Sequence, residues 1–321
     1  MKITFHKMIL FLNGLRGLII LKTLLENKSE IKSVVLSHDN DAEIIELVKS
    51  QNLNLIITDN INNVDTISKI KNLSPELFVL SGFRQILKKE LLDIPKIGTI
   101  NLHAGKLPEY RGGSPLNWQI INGEKFAYLT TIFTDEGIDT GNILKEQKIE
   151  ILDKDDIKSL HEKANKIFPK MLLESIKMVR KNDFGKKQNE AKASYWHQRN
   201  DTDGYLDFQN NDAEKIVRIV KAITKPYPGA WGLIQGQKVR IYSAKISELA
   251  FQGTPGKTIL TKGINPVVIC KKESIEILNY EFEKQPNRRL SNNDRFGIVV
   301  HQSFSMLSAT IVIPFHNEKK T

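Results

Sequence analysis

Three polar residues near the middle of the chain have the types and spacing that moving an acyl group onto an amine requires. Asn101 and His103 are two residues apart, and Asp139 follows 36 positions after His103. An amide can hold a developing oxyanion, an imidazole can take or relay a proton, and a carboxylate can act on that imidazole or order a water. A lone histidine or aspartate is more often structural. The three together predict a catalytic site.

A strand and a turn are needed to bring these groups together. Residues 99–103 are predicted to form a β-strand, and the period-two alternation of a strand places Asn101 and His103 on one face. Asp139 falls within the segment DEGIDTG, whose glycines and acidic residues are typical of a turn.

The first half of the chain alternates short apolar runs with amphipathic ones, which predicts an α/β fold with a mostly parallel sheet covered on both faces. Predicted strands are 7–12, 31–37, 55–58 and 77–81, and predicted helices are 17–26, 42–51 and 64–73. The loop of residues 13–17 lies between the first strand and the first helix, a place suited to phosphate. A plain tight turn is the preferred interpretation of this loop, because it has no G-x-G-x-x-G motif.

The second half predicts a long helix followed by a smaller β module. A helical stripe of apolar residues covers 156–180, with Pro169 as a predicted kink, and the polar residues 181–200 are predicted to be a linker. Further predicted elements are a helix at 213–223 and short strands near 230–234, 238–246, 257–260, 267–270 and 275–280. Such short strands are typical of a barrel-like module. We assign no role to the apolar run 309–315.

Composition excludes several classes of protein. The 321 residues carry a net charge of +10, but the basic residues are dispersed, so a solvated surface is preferred over a footprint for nucleic acid or membrane phosphate. The single cysteine, Cys270, can form no internal disulfide, which predicts a cytoplasmic location. Asn13 and Arg16 interrupt the apolar run 8–21, which is too short to span a bilayer and is predicted to be a buried strand and helix.

The combined motifs resemble the formyltransferases that use N10-formyltetrahydrofolate. The resemblance rests on N-x-H at 101–103, LPEYRG at 107–112 and DEGIDTG at 135–141. SYWHQRNDTDGYLDF, ITKPYPGAW and GQKVRIYSA are similar to the start of the carboxy-terminal domain of methionyl-tRNA formyltransferase and its sugar-modifying relatives. The resemblance implies a Rossmann-like catalytic domain at 1–200 and a β-barrel-like module at 201–321. It also implies that Asn101 stabilises the transition state, His103 transfers the proton and Asp139 is its partner.

The same resemblance implies a folate site without a metal. N10-formyltetrahydrofolate would be the co-substrate, held by backbone groups of one segment and covered by the loop before Asp139. The residues implied for it are Gln85, Ile86, Leu87, Asp135, Glu136, Gly137 and Ile138. An alternative for residues 85–87 is a helix entry that packs on the sheet.

Two branches of the family differ in the amine that receives the formyl group. Methionyl-tRNA formyltransferases typically begin with G-T-P-x-F and carry a basic insertion before the second helix. This chain has FLNGLRG instead, and only the short, acidic HDNDAEIIELVKSQNLN follows Ser37. The run RGGSPLNW at 111–118 is similar to enzymes that formylate nucleotide-linked amino sugars, such as the UDP-4-amino-arabinose formyltransferase domain. We therefore favour a sugar-nucleotide N-formyltransferase of surface-glycan synthesis over a methionyl-tRNA formyltransferase or a non-catalytic sugar-nucleotide-binding module.

The preferred acceptor, a UDP- or dTDP-linked amino-dideoxy sugar, requires cations for its diphosphate. Arg16 and Arg84 are the candidates, with Asn13 as a polar neighbour, although a surface or capping role is equally compatible with each arginine. Trp118 lies on a predicted helix, where core packing is preferred to stacking on a base. We also predict a homodimer that binds no nucleic acid and does not insert into a membrane.

Overall fold

Strands and helices alternate along the computed structural model, which describes residues 7–37 and 41–297. The strands are β1 (Met8–Leu12), β2 (Ile31–Leu36), β3 (Asn54–Ile57), β4 (Leu77–Ser81), β5 (Gly98–His103), β6 (Arg111–Gly112), β7 (Phe126–Phe133), β8 (Asn142–Glu150), β9 (Tyr195–Trp196), β10 (Ala230–Ile234), β11 (Gln237–Ile246), β12 (Thr258–Ile259), β13 (Val267–Ile269) and β14 (Ser274–Phe282). The α-helices are α1 (Gly14–Glu26), α2 (Ala42–Ser50), α3 (Val64–Asn72), α4 (Lys89–Leu92), α5 (Pro115–Ile121), α6 (Ile157–Arg180) and α7 (Ala213–Ile223).

A seven-stranded, mostly parallel sheet carries the first half of the chain, which confirms the predicted fold class. Its spatial order is β3-β2-β1-β4-β5-β7-β8, with β7 and β8 antiparallel to their neighbours. The chain builds from β1 outward through β2 and β3, and then returns to place β4 on the other side of β1. This reversal opens a crevice at the carboxyl ends of β1 and β4, where sheets of this kind bind ligands.

Burial on both faces explains why β1 is apolar throughout. Met8, Leu10 and Leu12 pack into the larger core, while Ile9 and Phe11 pack into a second core on the opposite face. Alternate side chains of a strand point to opposite faces, so a strand covered by helices on both sides needs no polar face. The sheet therefore holds its carboxyl edge rigidly.

A five-stranded antiparallel sheet, in the order β10-β11-β14-β13-β12, forms the second half. Helix α7 connects this sheet to the first half of the chain. The buried Asn117 side chain donates to the Ala222 carbonyl at 2.7 Å, and Arg218 Nε donates to the Ile121 carbonyl at 3.2 Å. The larger core includes residues from both halves. The predicted boundary near residue 200 stays a prediction.

Some details differ from the sequence-based expectation. Helix α6 continues through Pro169 as one 24-residue helix. Residues 181–200 are not a featureless linker, since β9 pairs with β6 beside the catalytic half. The apolar run 309–315 lies outside the described residues. Within the described ranges, no helix is both long and apolar enough to cross a bilayer.

Candidate active site

Strand β5 presents Asn101 and His103 to the loop that carries Asp139. Asn101 Nδ2 donates to Asp139 Oδ1 at 3.4 Å, and His103 Nδ1 lies 3.4 Å from Asp139 Oδ2. His103 is 5 % exposed and Asp139 is 14 % exposed, so both sit largely out of bulk water. The three residues predicted from the sequence therefore meet at one site.

The position of the proton on His103 follows from its other neighbour. Nε2 lies 2.7 Å from the carbonyl oxygen of Tyr110, which can only accept a hydrogen bond. Nε2 must therefore carry a hydrogen, and the lone pair of the neutral ring is at Nδ1, on the side of Asp139. A Cβ on Gly105 would lie 2.6 Å from Nε2, so only glycine permits this packing. Protonation at Nδ1 creates an N–H donor, and the Asp139 carboxylate can accept a hydrogen bond from it.

Asp139 is fixed through both its side chain and its backbone. Its Oδ2 accepts a hydrogen bond from the Gly112 N–H at 2.9 Å. Its backbone lies in the left-handed region, with φ +53°, which is uncommon for a residue other than glycine. The Gln188 amide donates to the carbonyl oxygens of Asp139 and Gly141, at 2.7 Å each. These contacts hold the carboxylate toward β5.

Arg111 is a further residue of the site that the sequence-based list of site residues omits. Its side chain is fully buried, and it binds Gln188, Glu190 and the Tyr195 hydroxyl. The hydrogen bonds to Glu190 raise the pKa of Arg111 above its usual value. The LPEYRG motif could have indicated Arg111 as a site residue, whereas the polar segment that contains Gln188 has no comparable pattern.

The first segment implied for folate runs along the carboxyl edge beyond β4. The Gln85 side chain accepts from the Ile61 N–H at 2.6 Å and donates to the Thr58 carbonyl at 2.9 Å, so it ties two loops together. Ile86 is exposed, whereas Leu87 is buried in the second core. Residues 85–87 precede α4 as a loop, which leaves backbone groups at this edge of the sheet.

The second segment implied for folate approaches the first. Asp135 accepts hydrogen bonds from the Gly137 N–H and the Thr140 hydroxyl within the loop, and Ile138 is 50 % exposed. Glu136 forms an ion pair with Lys89 at 2.7 Å, just beyond residues 85–87. This ion pair therefore brings the two predicted folate segments close together.

The candidate diphosphate residues Asn13 and Arg16 follow β1 at the sheet reversal. Asn13 Nδ2 donates to Asp41 at 2.9 Å, and its Oδ1 accepts from Ser37. Arg16 Nε donates to Asn165 at 3.1 Å. Burial lowers the pKa of Arg16 to about 10, so its charge persists at neutral pH. Both side chains are thus placed at the crevice, already engaged with protein groups.

Arg84 follows β4 across the same crevice, and its side chain is exposed. Tyr227 lies near Arg84 and is connected to Arg16 through the His161 ring. Arg16 Nη2 is 3.2 Å from His161 Nδ1, and His161 Nε2 is 3.0 Å from the Tyr227 hydroxyl. Burial raises the pKa of Tyr227. Three positive charges oppose that rise, those of Arg16, Arg199 and Arg84.

Arg199 connects this group of residues to the segment that follows β6. Its backbone N–H donates to the Ser114 hydroxyl at 3.3 Å, two residues beyond the glycine that binds Asp139. Among the described residues, its buried Nε has no hydrogen-bond partner. The sequence-based reasoning did not select Arg199. Residues in three separate segments thus bring three positive charges, Arg16, Arg84 and Arg199, close to Tyr227. Within the described ranges, we find no group of side chains suited to a metal ion.

Comparison with known proteins identifies the family. The model "Formyl transferase" matches residues 24–176, and "Formyl transferase, C-terminal domain" matches residues 199–292. The methionyl-tRNA formyltransferase of Caldanaerobacter subterraneus subsp. tengcongensis is 32% identical over 230 residues, which cover 71% of this chain and 73% of that protein. The chain belongs to the formyl transferase family. The fold and family resemblance predicted from the sequence are thereby confirmed.

Two further comparisons are informative. The bifunctional polymyxin resistance protein ArnA of Wigglesworthia glossinidia brevipalpis is 40% identical over 225 residues, covering 70% of this chain and 34% of that protein. The chain thus spans about a third of that longer relative. The fold is also shared with WlaRD, a sugar 3N-formyl transferase solved in the presence of dTDP and 5-N-formyl-THF. The TM-score between the two structures is 0.64, at 19% identity over 85% of this chain and 98% of that one.

Proposed function

We propose that this formyl transferase moves the formyl group of N10-formyltetrahydrofolate to the amine of a UDP- or dTDP-linked amino-dideoxy sugar. The proposal is supported by the arginine cluster of Arg16, Arg84 and Arg199 around Tyr227. Arg199 of this cluster contacts Ser114, two residues beyond the glycine whose N–H binds Asp139. In this proposal, folate binds at residues 85–87 and 135–138, the diphosphate of the acceptor binds at the arginines, and both substrates meet at Asn101, His103 and Asp139. The formylated sugar nucleotide would then serve as a glycosyl donor in surface-glycan synthesis.

The reaction exchanges one carbon–nitrogen bond for another. The acceptor amine attacks the formyl carbon, the bond from that carbon to N10 breaks, and the amine proton is balanced by a proton gained at N10. Asn101 would donate to the tetrahedral oxyanion, and a donor of this kind contributes about 3–4 kcal/mol in other enzymes. His103 would accept the amine proton at Nδ1, where Asp139 stabilises the charge.

The two folate segments support the donor half of the proposal. Residues 85–87 offer backbone groups at the carboxyl edge, and residues 135–138 lie close to this segment. Lys89 and Glu136 connect these segments through their ion pair. The loop of residues 135–138 leads directly into Asp139, so folate seated there would lie beside the catalytic groups.

The arginine cluster supports the acceptor half. Arginine donors pair well with phosphate oxygens. Arg84 is exposed at the crevice, and Arg199 has a buried nitrogen with no hydrogen-bond partner among the described residues. Arg16 and Asn13 lie on the β1 side of the same crevice. We infer that these four residues contact the diphosphate.

Methionyl-tRNA formyltransferase is the second candidate, and the similarity to the Caldanaerobacter enzyme favours it. The sequence between Ser37 and Leu55 argues against it, since this segment is short and acidic. A tRNA contact should instead use clustered lysine and arginine against phosphate. The identity to ArnA is 40%, higher than the 32% to the Caldanaerobacter enzyme over a similar share of this chain, which supports the first candidate over the second.

Calorimetric binding of UDP and dTDP tests the proposed acceptor class. We expect the wild-type protein to bind at least one of them, and Arg84→Ala to weaken that binding roughly tenfold, the value of a charge-assisted hydrogen bond. Lys96→Ala is the matched control, because Lys96 is exposed and precedes β5 at the opposite edge of the sheet. Failure to bind either nucleotide would contradict the proposal, as would equal weakening by both variants.

A further inference from the structure

The Gln188 side chain binds backbone groups of the loop that carries Asp139, here called the catalytic loop. Its Nε2 donates to the carbonyl oxygens of Asp139 and Gly141, at 2.7 Å each. These two carbonyls lie on either side of Thr140, so one amide group clamps the turn that follows Asp139. A terminal amide has two N–H donors, which is the number that this pair of acceptors requires.

Arg111 determines which way the Gln188 amide faces. Its Nε and Nη2 donate to Gln188 Oε1 at 3.1 Å and 2.9 Å. Because a guanidinium has donors and no acceptor, only the oxygen of the amide can face it. The NH₂ group must then face the catalytic loop. Glu190 and the Tyr195 hydroxyl bind the remaining part of the guanidinium, so its fork is held in one orientation.

The backbone beside Arg111 acts on the same aspartate. The N–H of the next residue, Gly112, donates to Asp139 Oδ2 at 2.9 Å. The segment of Arg111 and Gly112 therefore holds Asp139 in two ways. The Gly112 N–H binds the carboxylate, and the Arg111 side chain orients Gln188, which binds the backbone. Asp139 has a φ of +53°, so external contacts hold a conformation that its own backbone disfavours.

We propose that Gln188 is a positioning residue for catalysis, which sets the direction of the Asp139 carboxylate toward Asn101 and His103. Its side chain binds Arg111 and the carbonyl oxygens of the loop, and it acts through the loop. The inference rests on the proposed catalytic role of Asp139. Small displacements of a catalytic group are costly, since an error of about 1 Å can lower the rate roughly 100-fold.

Gln188→Glu tests the inference with little change in volume. The substituted carboxylate can still accept from Arg111, but it has no N–H for the two carbonyls. We expect kcat to fall roughly 10- to 100-fold while KM for N10-formyltetrahydrofolate stays within about twofold. The acceptor is the best substrate from a panel of UDP- and dTDP-amino sugars and methionyl-tRNA. Lys187→Ala, the exposed neighbour, should leave both constants unchanged.

Asp139→Asn separates this inference from the proposed function. If Asp139→Asn is inactive and Gln188→Glu keeps wild-type kcat, the positioning role is wrong and the catalytic role stands. If Asp139→Asn retains full activity, the catalytic role of Asp139 fails first. The pH–rate profile of Gln188→Glu should change in the same direction as that of Asp139→Asn, which a purely structural residue would not produce.

Gln188→Met covers the case in which the glutamate variant does not fold. It removes both polar groups at similar volume, and it should show the same loss of kcat with KM for folate retained. A parallel loss of folate binding and thermal stability in this variant, at unchanged kcat per folded molecule, would overturn the inference in favour of a structural role.

Discussion

The hydrogen on His103 connects the geometry of the site to its proposed chemistry. The Tyr110 carbonyl holds that hydrogen at Nε2, so the neutral ring offers its lone pair at Nδ1. Asp139 Oδ2 lies 3.4 Å from Nδ1 and is also bound by the Gly112 N–H. When the ring gains a proton, both of its N–H groups have acceptors. The site is therefore organised for the protonated ring that would form as the amine is deprotonated.

Replacement of Asn101 by alanine should remove the proposed oxyanion donor. We expect Asn101→Ala to lower kcat by roughly 10²- to 10³-fold, because one such donor contributes about 3–4 kcal/mol to the transition state. Steady-state kinetics with both substrates measure the effect. The exposed Asn72 at the end of α3 provides the control, Asn72→Ala. A folded Asn101→Ala enzyme with near-wild-type kcat would refute the assignment.

Asp139→Asn removes the charge while preserving most of the shape of the turn. The Gly112 N–H can still bind the side-chain oxygen, so the loop should keep its position. We expect kcat to fall roughly 100-fold or more with little change in folate affinity, because the carboxylate acts on the protonated ring rather than on binding. Kinetics across a pH series provide the measurement. A pH–rate profile identical to that of the wild type would mean that Asp139 is only structural.

At the scale of elements, α6 connects the first helix to the loop beyond α7 through His161. This ring lies between Arg16 and the Tyr227 hydroxyl. Burial, and then the positive charge of Arg16, lower the pKa of His161 to about 4. The unfolded chain, with an ordinary pKa near 6.5, binds the proton more readily. This contribution to stability is therefore present above about pH 6.5 and is lost as the pH falls toward 4.

His161→Gln tests this linkage, since glutamine can hydrogen-bond to both neighbours without titrating. Between pH 7 and pH 5, the free energy of unfolding of the wild type should fall by about 2 kcal/mol more than that of the variant. Urea unfolding at the two pH values gives the comparison. The same pH dependence in both proteins would show that His161 is not the titrating group.

The sequence was sufficient for the elements whose pattern is local. Strands β1 to β5 are apolar runs separated by amphipathic helices, so their number and order were predicted within a few residues. Strands β7 and β8 were missed, because β8 (NILKEQKIE) lies at the sheet edge and exposes a polar run that is typical of a loop. Its strand conformation depends on antiparallel pairing with β7, the preceding strand, rather than on its own pattern.

The candidate catalytic residues were predictable for a related reason, but the residues that hold them in place were not. Asn101 and His103 share a strand, so a period of two places them together. Gln188 and Arg111 are 77 residues apart in sequence, and no local pattern can indicate their hydrogen bonds. Arg199 belongs to the same polar segment as Gln188, which explains why both were overlooked.

At the scale of the whole molecule, the chain carries a net charge of +10, and some of its lysines form ion pairs. Lys89 pairs with Glu136, and Lys245 pairs with Glu276, both at the surface. These pairs are consistent with the predicted solvated surface, while Arg16, Arg84 and Arg199 lie around Tyr227. The homodimer and the cytoplasmic location stay predictions, which light scattering and cell fractionation can examine.

The amine that is formylated can be identified in one assay. Purified protein with N10-formyltetrahydrofolate should be assayed in parallel against UDP- and dTDP-linked amino-dideoxy sugars and against initiator methionyl-tRNA, with transfer detected by mass spectrometry. We predict formylation of at least one amino-sugar nucleotide, abolished by His103→Ala, and no formylation of the tRNA. Efficient formylation of methionyl-tRNA, with salt-sensitive binding and no transfer to any amino sugar, would contradict the proposed function.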